Sequence, residues 1–265
     1  MIDLHSHVLA GIDDGPQDID GSLALARAAS REGTTTLAAT PHARADHPRV
    51  HLEEVAAHCA ELNGLIPESW GIEVVPGAEV DIAWAQTASE EQLRLATYLQ
   101  RGTDILVETP YGPLPSTFED LLFNLSVRGL RVVLAHPEWS PSFQSDPGRI
   151  AAMVDRGVLV QITALSLVRP KRRSRARRLA YFLLEEELAH LIASDSHSGG
   201  SWRPPQLKVG VEAASQVISP ARAQWMVSEA PAAVLAGEPL PAAPASAASR
   251  QGRGFLRRLT GSSGR

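Results

Sequence analysis

Met1-Ile-Asp-Leu-His-Ser-His7, with Ile12-Asp-Asp-Gly15 close behind it, opens the chain and decides how the rest is read. Ile2 and Leu4 supply the buried face of a short strand, and His5 and His7, two positions apart, project to one side where it ends. Two imidazoles on one side of a strand end suit a metal ion. A lone His-x-His is more often a surface or hydrogen-bonded pair, so its weight depends on partners further along. They are present: Thr40-Pro-His42, Gly77-Ala-Glu79, Leu106-Val-Glu108, Ala135-His136 and Ser194-Asp-Ser-His197 each close an apolar run. A histidine or carboxylate thus stands at the C-terminal end of nearly every predicted strand.

Working outward, the turn Asp13-Asp-Gly-Pro16 leads into a helix over 18–31, stopped at Gly33. Strand two follows over 34–40, and Leu52, Val55, Cys59 and Leu62 recur at helical spacing in 51–65. Strand three spans 72–76, and a helix over 89–99 opens on Ser89 with Glu90, Glu91 and Gln92 as a capping arrangement. Further strands are predicted at 104–107, 130–134, 158–162 and 191–193, alternating with helices at 117–127, 147–156 and 174–187. Helices over 209–217, 220–229 and 231–236 complete the body. Alternation of this kind implies parallel strands with right-handed crossovers. Ligand candidates follow strand after strand, whereas an open sheet gathers its ligands at one switch point. The candidates converge only if the sheet closes on itself.

The 265 residues, 44% of them hydrophobic, suffice for one large α/β domain, expected over 1–237. Residues 238–265 turn to Pro, Ala, Ser, Gly and Arg and are expected to form a disordered tail. Net charge is −5, yet the stretch from Arg250 carries five arginines and no acid, so the body bears about −10 and is a poor partner for nucleic acid. Phe255, Leu256 and Leu259 among those arginines allow at most peripheral contact with anionic lipid or a membrane-bound partner. With Cys59 as the single cysteine, no disulfide framework or thiolate metal site can form within the chain. No signal pattern or membrane-length apolar run is present, and a cytoplasmic protein is expected. Oligomeric state has no signature here.

The candidate ligands are His5, His7, Asp14, His42, Glu79, Glu108, His136, Asp195 and His197. Nitrogen and oxygen donors without sulfur suit Mn, Fe, Co or Zn, and nine of them exceed one coordination sphere, so two or three ions are expected. His47, His51, His58 and His190 fall in loops or helices and are read as solvated or structural. Seven basic residues between Arg169 and Arg178 surround Ser174 on the expected site face, as a solvated helix start or as a steering patch for an acidic, phosphorylated segment.

Taken in order, Met-Ile-Asp-Leu-His-Ser-His, Asp-Asp-Gly, Ala-Thr-Pro-His, Pro-Gly-Ala-Glu, Leu-Val-Glu, Ala-His-Pro-Glu, Gln-Ile-Thr-Ala and Ala-Ser-Asp-Ser-His resemble the polymerase and histidinol phosphatase (PHP) superfamily. Within it the series resembles the manganese-dependent bacterial protein-tyrosine phosphatases of capsule and exopolysaccharide operons, over roughly residues 1–240. The resemblance implies a distorted (β/α)7 TIM-like barrel of PHP type. It also implies one metal on His5, His7, Glu79 and Asp195, a second on Asp14, His42 and His197, and a third on Glu108 and His136 with Glu79 bridging, Asp13 being the less favoured ligand.

His42 and His136, with Arg203, form the implied catalytic set; Arg203 and Arg44 are candidate phosphate contacts, and Trp139 is a candidate to stack on a phenyl ring. The family usually carries arginine directly after the glutamate of its His-x-Glu motif, where this chain has Trp139. Arg203, in Ser201-Trp-Arg-Pro-Pro, matches a second family arginine. The implied reaction is metal-dependent hydrolysis of protein phosphotyrosine on an autophosphorylated kinase that regulates exopolysaccharide or capsule synthesis. A phenolate, with parent pKa about 10, leaves more readily than an alkoxide. Two other readings stay open: a small-molecule phosphomonoesterase such as a histidinol phosphatase, and a catalytically weak regulator that binds the kinase tail. The cysteine-nucleophile route fails on pattern, because Leu65 stands six beyond Cys59 where an arginine is needed.

Overall fold

The structure is a computed structural model and describes residues 1–168, 174–200 and 202–245. The first half of the basic run, 169–173, and the arginine-rich tail from 246, with Phe255, Leu256 and Leu259, lie outside the described residues.

The chain begins with strand β1 (Ile2–Ser6) and helix α1 (Ile19–Glu32). The Asp18 side chain caps α1 by accepting from Gly21 N, and the helix stops at Gly33, whose φ of 93° is cheap only without a Cβ. Next come β2 (Thr36–Ala39), β3 (His42–Ala43), α2 (Leu52–Leu65), β4 (Glu73–Pro76) and β5 (Glu79–Val80). Helices α3 (Ile82–Thr87) and α4 (Glu90–Ala96) follow, and Ser89 and Gln92 complete the expected capping box of α4. Three strand–helix units come next: β6 (Asp104–Glu108) with α5 (Phe118–Val127), β7 (Arg131–Ala135) with α6 (Pro141–Ser145) and α7 (Gly148–Val154), and β8 (Leu159–Thr163) with α8 (Ala164–Val168) and α9 (Arg175–Glu185). The last strand is β9 (Leu191–Ala193), followed by α10 (Leu207–Ala214), α11 (Pro220–Trp225) and α12 (Glu229–Ala236).

Among the described residues every strand pair is parallel. One sheet has the order β1-β2-β4, and the other β3-β5-β6-β7-β8-β9. The expected strand 34–40 contains β2, but a further short strand, β3, follows it beyond a break at Thr40-Pro41, where proline has no N–H to donate and its ring bends the chain. A similar break at Gly77-Ala78 separates β4 from β5. Counting each broken pair once leaves the seven parallel strands that the alternation requires. Across these breaks the pairing of neighbouring strands is carried on by Thr40 N donating to Ser6 O at 2.8 Å, beside β1 and β2, and Glu79 N to Pro41 O at 3.1 Å, beside β3 and β5. Between β9 and β1 the ring is joined by Asp195 N to His5 O at 2.9 Å and His7 N to Ser196 O at 2.8 Å, not by a full ladder. The result is a distorted (β/α)7 arrangement whose seam lies at the ends of β1 and β9.

Strands covered on both faces need near-continuous apolar sequence, and all five residues of β6 and of β8 are buried. The polar exceptions sit at strand ends. His5, Glu79, Glu108, His136, Asp195 and His197 are all buried. Glu108 ends β6 and His136 directly follows β7, while His5 is the last residue but one of β1, Glu79 opens the two-residue β5, and Asp195 and His197 lie two and four residues beyond β9. Residues 238–245, expected to start a disordered tail, instead lie against the body: Leu240 and Ala243 pack on the core, and Ser219 Oγ donates to Ala245 O at 2.7 Å. Their proline and alanine composition hides apolar surface that α11 can cover. Among the described residues no helix is long and apolar enough to cross a membrane.

Candidate metal centre

The site is assembled from strand ends and one pressed turn. Gly15 allows the Asp13–Asp14 turn to close on β1: a Cβ there would sit 2.0 Å from the His7 carbonyl oxygen, so any side chain would push the turn away. Packed in this way, Asp13 Oδ2 accepts from His7 Nδ1 at 2.8 Å and from His42 N at 3.2 Å. His5 is fixed likewise, its Nδ1 donating to Gln161 Oε1 at 3.1 Å, and His197 Nδ1 donates to the Asp195 carbonyl at 3.1 Å. In each case the outer nitrogen is tied down and Nε2 is aimed inward, the orientation that a metal-ligating imidazole requires.

Glu79 occupies the centre. Its Oε1 accepts from His136 Nε2 at 2.9 Å, while Oε2 lies 3.1 Å from His42 Nδ1, 3.3 Å from His5 Nε2 and 3.6 Å from His7 Nε2. Asp195 Oδ1 lies 3.6 Å from both His5 Nε2 and His7 Nε2. Asp14, at the solvent side, lies 3.2 Å from His197 Nε2 and 3.5 Å from His42 Nε2. All nine sequence-derived ligand candidates therefore come together.

Their ligand atoms fall into four groups, each within 4.8 Å: His7, Asp14, His42 and His197; His5, His7 and Asp195; His5, Glu79 and His136; and His42, Glu79 and Glu108. Compared with the partition drawn from the resemblance, His7 joins the Asp14 group, and Glu108 pairs with His42 while His136 pairs with His5. His5 Nε2, His7 Nε2, His42 Nδ1, Glu79 Oε2 and Asp195 Oδ1 are buried without a hydrogen-bond partner, although they crowd one another. Orphaned donors and acceptors of opposite polarity in one place are costly unless a cation draws them together, so these residues fit metal ions.

The electrostatics agree. Burial opposes charge on His5, but the carboxylates of Glu79 and Asp195 outweigh it and raise its pKa to about 9. His42 is raised to about 9 as well, burial again being outweighed by Glu79 and then Glu108. Burial raises Glu108, and the neighbouring charge of Glu79 adds to that. Burial, with His197 and His42 close by, pushes His7 far down, so it stands ready as a neutral ligand. In the metal-free protein His5 and His42 hold protons below about pH 9 that must leave when they ligate. Apparent Mn affinity is therefore expected to rise with pH up to about 9, by about tenfold per pH unit for each proton displaced. Calorimetric Mn titrations in buffers of different ionisation enthalpy would count those protons, and an affinity flat between pH 7 and 9 would contradict the assignment.

The arginines divide. Arg203 lies at the cluster, its Nη1 donating to His197 Nε2 at 2.9 Å and its Nη2 to Asp195. Arg44 donates to Glu108 at 3.0 Å but also holds Asp46 through Nε and Nη2, which occupies most of its fork. Trp139, with Tyr111, Thr163, Leu165, Ser194, Asp195 and Arg203, lines a cavity of about 200 Å³ beside the cluster. His136, Asp195 and Arg203 adopt positive φ of 37°, 53° and 44°, a strained conformation for residues with a Cβ, and all three are candidate site residues.

Several positions take part to which the sequence assigned no role at the site. Gln161 and Asp13 orient ligands from the second layer. Glu138 is buried and accepts from Thr163 N and Ser166 Oγ, each at 2.8 Å. Tyr111 stacks on His136 with ring centroids 5.7 Å apart and planes 18° from parallel. His47, read as solvated or structural, stacks on His42 at 4.9 Å. Cys59 lies buried within α2, and burial pushes its thiol up to about 12, which removes it as a nucleophile.

Parallel strands that deliver histidines and carboxylates from their C-terminal ends into one buried cluster define an α/β-barrel protein with a site able to hold metal ions. The chain belongs to the CpsB/CapC family of capsular polysaccharide synthesis, whose family model matches residues 1–236. It is 34% identical over 202 residues to the tyrosine-protein phosphatase YwqE of Bacillus subtilis, covering 75% of this chain and 78% of that one. It is 27% identical over 213 residues to the tyrosine-protein phosphatase CpsB of Streptococcus pneumoniae, covering 78% and 87%. In structure it is similar to the YwqE and CpsB crystal structures, described as unique metal-dependent tyrosine phosphatases, with a TM-score of 0.79, 27% identity, and coverage of 93% and 99%. A D-hydantoinase, 14% identical with a TM-score of 0.56 and coverage of 93% and 73%, shares the fold alone.

Proposed function

We propose that this chain is a metal-dependent protein-tyrosine phosphatase acting on a tyrosine-phosphorylated kinase tail in capsule or exopolysaccharide synthesis, in the cytoplasm. The observation that carries the reading is the convergence of orphaned, pre-oriented His and carboxylate atoms beside Arg203. His5, His7, Asp14, His42, Glu79, Glu108, His136, Asp195 and His197 would hold two or three ions; their nitrogen and oxygen donors suit Mn, Fe, Co or Zn, and Mn is the ion that the motif series implies. Residues 1–237 would form the catalytic barrel.

When bound, the ions would supply a hydroxide nucleophile at neutral pH and polarise the phosphoryl oxygens. The protein's own part is orientation and charge. Asp14, Glu79, Glu108 and Asp195 carry four negative charges with neutral imidazoles, which two divalent ions balance. Arg203 then remains as positive charge facing a phosphate monoester, whereas the charge of Arg44 is offset by Asp46. Arg203 would bind the phosphate, Arg44 less so because Asp46 and Glu108 already hold it, and His42 and His136 would fix the cluster against Glu79. The phenol leaving group needs less protonation than an alkoxide would.

The test compares matched phosphotyrosine and phosphoserine peptides with histidinol phosphate, on protein first chelated and then resupplied with Mn. Turnover of the phosphotyrosine peptide alone, lost on chelation, restored by Mn and abolished in His136→Ala, is the expected outcome. Turnover confined to histidinol phosphate would move the protein to small-molecule metabolism. Peptide retained without turnover would make it a binding module.

A further inference from the structure

We propose that the cavity walled by Tyr111, Trp139 and Leu165 is an aryl-binding pocket, by which the chain selects phosphate esters of phenols through contact with the ring and not only through the leaving ability of phenolate. The inference rests on the phosphomonoesterase reading above and assigns a specificity determinant within that site.

The cavity has two chemically distinct ends. Arg203, Asp195, Ser194 and Thr163 form the polar end, which adjoins the cluster, and Tyr111, Trp139 and Leu165 form the other. Its volume, about 200 Å³, suffices for a phenyl group, since cavities of about 150 Å³ admit benzene. The aromatic end is positioned by the site itself, because the Tyr111 ring lies on His136, whose Nε2 in turn bonds Glu79 at 2.9 Å. A ring beside Tyr111 is therefore held at a set distance from the cluster.

Apolar surface is left open at that end. Tyr111 is 52% exposed, and Trp139 and Leu165 are half-buried. A hydrocarbon ring would cover this surface, whereas an alkyl phosphate of the same charge would fill the polar end and leave the wall wet. Arg203 can reach an anionic head at the polar end, since its bonds to His197 and Asp195 use only part of its N–H fork. A ligand with an aromatic body and a dianionic head matches both ends at once.

Phenylphosphonate and ethylphosphonate share the head, cannot be hydrolysed and differ only in the body, so leaving-group chemistry drops out of the comparison. On the Mn-loaded full chain, calorimetric titration is expected to show phenylphosphonate binding about tenfold tighter. In Trp139→Ala the ratio is expected to fall to within about threefold, and in Trp139→Phe to recover. Tyr111→Ala, at an exposed loop position, removes the other aromatic ring of the lining and serves if Trp139→Ala does not fold. A wild-type ratio near one, or a ratio unchanged in both alanine variants, overturns the pocket. Metal-dependent hydrolysis of phosphotyrosine peptide with an unchanged ratio would overturn the pocket and leave the phosphatase reading standing. Ring-selective binding without hydrolysis of any phosphate ester would do the reverse.

Discussion

Glu79→Gln is expected to lower kcat/KM on a phosphotyrosine peptide by about three orders of magnitude and to reduce the metal bound per chain, both measured on one chelated and Mn-reloaded preparation. Glu79 faces four imidazoles through two oxygens, at 2.9 Å from His136, 3.1 Å from His42, 3.3 Å from His5 and 3.6 Å from His7. The amide keeps the shape and opens no cavity, so the change acts through charge and lone pairs. It removes one of four negative charges from the cluster and turns one acceptor oxygen into an N–H donor pointed at ring nitrogens that should be aimed at metal. Loss of metal-derived charge stabilisation is worth several kcal/mol, and about 4 kcal/mol corresponds to roughly three decades of rate. The metal-free protein tests the same residue from the other side. Glu79 is the strongest cause holding a proton on His42 and the first of the carboxylates doing so on His5, so both histidines should titrate lower in the variant. A variant that kept wild-type activity and metal content would place the shared ligand elsewhere.

Much of this site is legible in the sequence because parallel barrel strands obey two strong rules. Both faces are covered, so each strand reads as an apolar run, and function collects at the C-terminal end, so a polar residue closing such a run is conspicuous. His5, Glu79, Glu108, His136 and Asp195 are visible for this reason. Asp14 and His197 lie a little beyond strand ends, and only the accompanying motifs bring them in. Which ligand atoms share an ion depends on side-chain direction: His42 turns Nδ1 to Glu79 and Nε2 to Asp14, and no spacing along the chain encodes that. Tyr111 illustrates another limit, since it sits in a proline-rich loop with no period, and only the closed ring brings it onto His136. The short helices α3, α6 and α8 were not anticipated either. They span five or six residues, too few for a helical period to stand out. Strand β3, beyond Pro41, has only two residues and is followed by Arg44 and Asp46, so no apolar run marks it.

Arg203→Ala is expected to lower kcat/KM by about two orders of magnitude while leaving metal content intact or binding slightly tighter. The two readouts move apart because of how Arg203 is placed. It donates to Asp195 and to His197 Nε2, atoms that a metal ion would also claim, so the guanidinium competes with the ion for ligands even as it supplies positive charge for phosphate. Removing it frees both ligands and deletes a charge-assisted contact to the dianion, a loss of about 1.5–3 kcal/mol. Alanine inherits the same positive φ of 44°, so the backbone cost at this position is not relieved and the loop back to His197, held by His197 N to Arg203 O at 2.9 Å, has no new reason to move. Lysine should rescue poorly, because a single ammonium cannot span the planar fork that a phosphate edge requires. Arg44→Ala supplies the contrast. With its fork already committed to Asp46 and Glu108, its loss should cost less than about tenfold. The measurements are kcat, KM and bound metal for the three variants side by side. If activity and metal content fell together in Arg203→Ala, the residue would be a strut for Asp195 and His197, and the phosphate would have to be held by the ions alone.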